Sequence, residues 1–100
     1  MNSNNINKLY DIYSALADED DAGNISNFMT EILTKTELEI LSKRWQIMEM
    51  LYEGKTQREI AKELKVSLCK VTRGAQILKN EKSIIATYLK KGVNHESKQI

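Results

Sequence analysis

Proline is absent from these 100 residues, glycine occurs 4 times, and there is one cysteine and one histidine. With no proline and little glycine, few points force the backbone to stop, and long helices can run between them. One cysteine cannot close an internal disulfide, and one cysteine with one histidine cannot by themselves form a structural zinc site, so packing alone must hold the fold. No apolar run approaches the roughly 20 residues that cross a bilayer, and the Asn-rich start lacks the basic and apolar segments of a secretory signal. A cytoplasmic protein with no membrane partner is expected. No nucleophile, base and orienting partner group together, and Asp18-Glu19-Asp20-Asp21 has no metal-loop pattern, so neither an enzyme nor a metal protein is expected.

What is present is ordinary in amount and uneven in distribution. Hydrophobic residues make up 41% and charged residues 29%, the composition of a single globular domain. The formal charge of +1 hides an asymmetry: residues 1–54 hold 4 Lys/Arg against 10 Asp/Glu, a net of −6, and residues 55–100 hold 11 against 4, a net of +7. The second half is the candidate polyanion-binding half, although charge alone does not separate a nucleic-acid face from a solvated one.

Apolar spacing near 3.6 predicts an all-α fold of five to six helices. Ile6, Leu9, Tyr10, Tyr13 and Leu16 define a first helix ending at the acidic turn. Ile25, Phe28, Met29, Ile32 and Leu33 define a short second one. Thr34-Lys35-Thr36-Glu37 reads as a capping box opening a third and longest helix. Its expected buried stripe is Leu38, Leu41, Trp45, Met48 and Leu51/Tyr52, and Gly54 supplies the left-handed residue that ends it. Thr56-Gln57-Arg58-Glu59 repeats the capping pattern for a helix running to Leu64 or Lys65. Ser67 caps the next, Leu68 to about Asn80, and a last helix carries Ile84, Ile85, Tyr88 and Leu89 before Gly92. One domain over residues 1–92 and a frayed tail over 93–100, containing His95, complete the expectation.

The segment from 56 to 79 has the requirements of a helix-turn-helix. Ala61 is small where the two helices approach, Ile60 and Leu64 face the core, Val66 is apolar in the turn, and Val71 plugs the crossing. Lys65 falls where glycine usually begins the turn, which costs on the order of 1 kcal/mol in a left-handed conformation. The alternative is an ordinary helical hairpin in a bundle. If Leu68 to Lys79 enters the major groove, Leu68, Cys69 and Thr72 approach base edges, with Arg58 able to bond guanine bidentately. Lys43, Gln57, Lys70 and Lys79 are assigned to phosphates. Cys69 beside Lys70 at a helix N-terminus also admits a redox-sensing thiol, against the simpler reading of a small side chain on the DNA face. Arg73-Gly74 is unusual in mid-helix. It makes either a notch for a flat carboxylate-bearing ligand paired with the guanidinium, or a site of close helix packing.

The run Leu33-Thr34, Lys43-Arg44, Gly54, Gln57-Arg58-Glu59, Val71-Thr72-Arg73-Gly74 and Leu78-Lys79 resembles the tryptophan operon repressor family. Order and spacing match from Leu33 to Lys79 with one apparent single-residue deletion between Gly54 and Gln57; the first third is similar only in helical pattern. The resemblance implies an intertwined homodimer binding a double-stranded DNA operator, with L-tryptophan as corepressor. Dimeric helix-turn-helix repressors, of which this family supplies a standing example, read half-sites about 34 Å apart. It further implies an indole held between Arg44 and Arg73, Thr34 beside the ligand carboxylate, carbonyls near Ile32 and Leu33 accepting from the amino group, and room for the ring at Gly74. Two positions depart: Ile77 stands where well-known members have serine, and Lys70 where they have threonine. Three functions therefore stand side by side: a tryptophan-responsive repressor, a regulator of the same fold that needs no tryptophan, and a helical protein-interaction module whose basic half meets an acidic partner.

Overall fold

The structure, a computed structural model, describes residues 3–92. Among them are six helices and no strand: α1 (Ser3–Ala17), α2 (Ala22–Ile32), α3 (Lys35–Tyr52), α4 (Gln57–Leu64), α5 (Leu68–Lys79) and α6 (Ile84–Lys90). The all-α expectation is met, and the expected boundaries differ from these by a residue or so. The segment 93–100, expected to be frayed, lies outside the described residues together with His95. The chain forms two compact units divided after Leu38.

In the first unit, local side chains set the helix ends. Asp21, extended at φ −116, caps α2 by accepting from the Gly23 N–H at 3.0 Å, so Gly23 lies inside the helix. Its carboxylate sits where the helix dipole favours negative charge. The capping box expected at the start of α3 is formed: the Thr34 N–H donates to Glu37 Oε1 at 2.8 Å, and the Glu37 N–H donates to Thr34 Oγ1 at 3.1 Å. None of the described side chains of this unit is fully buried. Tyr10 is 68% exposed and Tyr13 57%, an unusual setting for aromatic rings on an amphipathic helix.

In the second unit, Ile47 and Met50 from α3, Ile60 from α4 and Val71 from α5 form the core, with Leu51, Ala61, Leu64 and Val66 packed around them. Ile60 and Val71 are completely inaccessible. α3 stops in a Schellman arrangement: Gly54 takes φ 97, its N–H donates to the Leu51 carbonyl at 3.0 Å, and the Lys55 N–H donates to the Met50 carbonyl at 3.1 Å. α4 opens with the second capping box, Thr56 N–H to Glu59 Oε1 at 2.9 Å and Glu59 N–H to Thr56 Oγ1 at 3.1 Å. Ser67 and Ser83 cap α5 and α6 through their hydroxyls.

The expected buried stripe of α3 is met at Met48, which is buried, and at Leu51, which packs against the core, and requires correction at Leu41, Trp45 and Tyr52. The buried residues of the helix are Ile47, Met48 and Met50, whereas Leu41, Trp45 and Tyr52 are 46%, 38% and 50% exposed. Periodicity identified an apolar face correctly but centred it on the side of Leu41 and Trp45, whereas the core side of α3 is centred on Ile47 and Met50, which meet Ile60 and Val71.

Candidate functional site

α4 and α5 pack directly on each other, separated by Lys65, Val66 and Ser67. Lys65 occupies the left-handed region at φ 57, ψ 48, and among the described residues it is the one non-glycine residue with positive φ. Its N–H and that of Val66 both turn back to the Ala61 carbonyl. The corner thus forms without glycine, and the Val66 side chain tucks into the core on leaving it. Two helices meeting at a short left-handed corner, with Val71 sealed between them and the second helix exposed at its start, is the helix-turn-helix arrangement.

The outer surface carries the residues expected to meet DNA. Arg58, Cys69, Lys70 and Lys79 are exposed, and Leu68 is 41% exposed at the first turn of α5. Gln57 and Thr72 are half-buried and bond each other: Thr72 Oγ1 donates to Gln57 Oε1 at 2.8 Å. Thr30 and Thr87 donate instead to the carbonyl four residues back in their own helices. Lys43, on α3, donates from Nζ to the Leu64 carbonyl at 3.0 Å. Glu59 is the described group with a displaced titration: the Thr56 backbone N–H, followed by the Thr56 side chain, holds its carboxyl below the ordinary carboxylate value.

Behind α5 lies a cavity of about 310 Å³ between α3 and α5, closed on one side by Ile85 of α6. That volume is at the small end of ordinary small-molecule sites, about 300–1,000 Å³. Four of the expected ligand residues, Arg44, Arg73, Gly74 and Ile77, come together in its wall. Thr34 belongs to the first unit, where its hydroxyl accepts from Glu37. Lys70, expected on phosphate, also lines this cavity, so three cationic side chains surround an otherwise apolar space, and no carboxylate is among the lining residues.

Gly74 stands at a close helix contact and in the cavity lining. It lines the cavity and is buried, and a Cβ placed on it would stand 3.0 Å from Ile47 Cγ2 and 3.3 Å from Leu51 Cδ1. The missing side chain therefore lets α3 and α5 approach and leaves the gap beside them open.

Sequence reasoning missed Trp45, which it placed in the core. The structure puts Trp45 in the cavity wall with Leu41 and Met48. These residues lie three or four positions from Arg44 or from one another along α3, so projecting from Arg44 along that face is the signal that would have found them.

The family model described as Trp repressor protein matches residues 5–92. The chain belongs to the Trp repressor family. Its relatives include proteins named Trp operon repressor homolog from Xylella fastidiosa strains M23 and Temecula1, each 40% identical over 65 residues that cover 64% of this chain and 68% of the relative. No solved structure matches the chain. The six-helix architecture is consistent with the Trp repressor fold. Among the described residues no helix is long and apolar enough to cross a membrane, and no cluster of three His, Cys, Asp or Glu side chains is placed to hold a metal.

Proposed function

We propose that this Trp repressor family member is a homodimeric, sequence-specific DNA-binding repressor gated by L-tryptophan. The observation that carries the reading is the cavity behind α5: Arg44 and Arg73 face a small apolar space opened by Gly74, directly inside the helix whose first turn is exposed. A guanidinium pairs with a carboxylate and stacks on an aromatic plane, so two of them suit a flat aromatic acid. Lys70 adds a third positive charge for the carboxylate.

On the outer face, Arg58 reads guanine by a bidentate contact, while Leu68, Cys69 and Thr72 make close contacts with base edges. Gln57 and Lys79 bond phosphates and set the salt dependence, while Lys70, expected among them, is given to the cavity. Lys43 stands apart, because its ammonium is already engaged with Leu64. The exposed rings and aliphatic groups of α1 and α2, with no fully buried side chain among their described residues, favour a second copy as their cover. In a dimer the ligand acts by differential affinity: occupation of the cavity holds α5 at the angle and spacing that two operator half-sites demand, and DNA and ligand each strengthen the other's binding by the same factor.

Calorimetry with L-tryptophan tests the ligand. Heat that disappears in Arg73→Ala supports the assignment, whereas no heat at millimolar ligand rejects it. Duplex DNA titrated at two salt concentrations tests the partner, since phosphate contacts require a steep fall of affinity with salt and a flat response rejects DNA binding. A second reading is favoured by Ile77, which lines the cavity and can neither donate nor accept a hydrogen bond. On that reading the protein has the same fold and DNA target class but takes an aromatic acid other than tryptophan, and tryptophan binds more weakly than that acid.

A further inference from the structure

The last carbonyls of a helix have no partner within it and carry the negative end of the helix dipole. At the end of α4, the Ala61 carbonyl receives two N–H groups from the corner, those of Lys65 and Val66. The Leu64 carbonyl is met by Lys43, whose Nζ reaches it at 3.0 Å from 21 residues earlier in the chain. Among the described residues, no other side chain hydrogen-bonds the backbone of a different helix.

Lys43 and Ile47 are one turn apart on α3 and share a face of it. Ile47 meets α5 at Gly74, with 3.0 Å between Cγ2 and the position a Cβ would take. Lys43 meets the corner between α4 and α5. The helix-turn-helix is thereby attached to α3 in two ways: the apolar contact of the shared core, in which Ile47 and Met50 meet Ile60 of α4 and Val71 of α5, and a charged hydrogen bond at the corner. Arg44, the next residue along α3, lies in the cavity wall. A pair attached only through the apolar contact can swing about it. The second attachment fixes the corner, so a molecule filling the cavity changes the angle of α5 and does not displace the whole pair.

We propose that Lys43 is a positioning residue that latches the α4–α5 corner to the cavity-bearing helix, so that occupation of the cavity is transmitted to the DNA-reading helix. This rests on the DNA-binding, ligand-gated reading above. It departs from a role for Lys43 in neutralising a phosphate.

The test compares wild type, Lys43→Met, which keeps the aliphatic stem and loses the donor, and Lys43→Arg, which can still donate. In the free protein, the amides of Lys65 and Val66 exchange with solvent faster in Lys43→Met and at the wild-type rate in Lys43→Arg. The operator affinity in the presence of L-tryptophan falls about fivefold in Lys43→Met, consistent with loss of one charged hydrogen bond. Two quantities stay fixed: the slope of log affinity against log salt, and the affinity of the protein alone for L-tryptophan. The gain in DNA affinity produced by ligand shrinks. A slope reduced by about 0.9 with an unchanged ligand-induced gain makes Lys43 a phosphate contact and overturns the proposal. Unchanged exchange at Lys65 and Val66 overturns it as well. If wild type itself shows neither DNA binding nor a ligand response, the functional reading fails, while the exchange comparison still decides whether Lys43 holds the corner.

Discussion

Thr72 and Gln57 are joined by a 2.8 Å hydrogen bond from the threonine hydroxyl to the carboxamide oxygen, tying α5 to the first turn of α4. Both residues are half-buried, so the bond is partly shielded from competing water. Thr72→Val keeps the shape and removes the donor, leaving Gln57 Oε1 without a protein partner. A loss of about 1 kcal/mol in urea unfolding is expected, with Thr72→Ser much closer to wild type. Because Gln57 is a proposed phosphate contact and Thr72 a proposed base contact, operator affinity falls in Thr72→Val by more than the stability change accounts for. Equal behaviour of the valine and serine variants in both measurements removes the bond from the account.

Gly74→Ala sets two effects against each other. Alanine favours the helix by about 1 kcal/mol over glycine. The new methyl, however, enters a space where Ile47 and Leu51 stand 3.0 and 3.3 Å away, and overpacking of this kind costs typically about 1–3 kcal/mol. Net destabilisation is expected in thermal unfolding, together with a loss of ligand affinity of more than about tenfold, since the wall of a cavity of about 310 Å³ is being filled. A variant more stable than wild type that still binds ligand places Gly74 outside the site.

Lys65 holds a left-handed conformation, φ 57 and ψ 48, that glycine adopts without steric cost. Lys65→Gly should stabilise the protein by up to about 1 kcal/mol, a rise in Tm of a few degrees. Lys65→Val, branched at Cβ, should lower Tm. The order Gly above Lys above Val in differential scanning calorimetry is the expected result, and the reverse order contradicts the left-handed corner.

The pH dependence of α4 follows from Glu59. Its folded carboxyl titrates below the unfolded one because Thr56 donates to it first through the backbone N–H and then through the side chain. A depressed carboxyl contributes stability above the unfolded value, about 4.3, and that contribution disappears as pH falls through the folded value. Urea midpoints measured from pH 6 down to pH 3 should therefore fall more steeply in wild type than in Glu59→Gln, which keeps an oxygen acceptor and cannot titrate. Thr56→Ala should cost about 1 kcal/mol at neutral pH. Parallel curves for wild type and Glu59→Gln remove the linkage.

The helix ends were legible in the sequence because their causes are local. Thr34 with Glu37, Thr56 with Glu59, and Ser67 each satisfy N–H groups within three residues, and Gly54 supplies its own left-handed turn. The corner at Lys65 was legible as well, since Ile60, Ala61, Val66 and Val71 fix its position whatever residue occupies it. Arg44, Arg73, Gly74 and Ile77 could be named as one group from the family pattern, and the structure brings these four to one wall.

What escaped the sequence depends on neighbours distant along the chain. α3 has two apolar rows, and periodicity cannot say which faces Ile60 and which faces the cavity; Trp45 was misplaced for that reason. Lys70 looked like a surface charge until the packing of α5 on α3 put it in one cavity wall with Arg44 and Trp45. The bonds of Lys43 to Leu64 and of Thr72 to Gln57 span 21 and 15 residues and leave no local trace.

Trp45 has a practical consequence. It is the sole indole of the chain, 38% exposed, and part of the cavity wall. Its ultraviolet emission is thus a built-in gauge of filling: a non-indole occupant that expels water from beside the ring shifts the emission toward the blue with no attached dye.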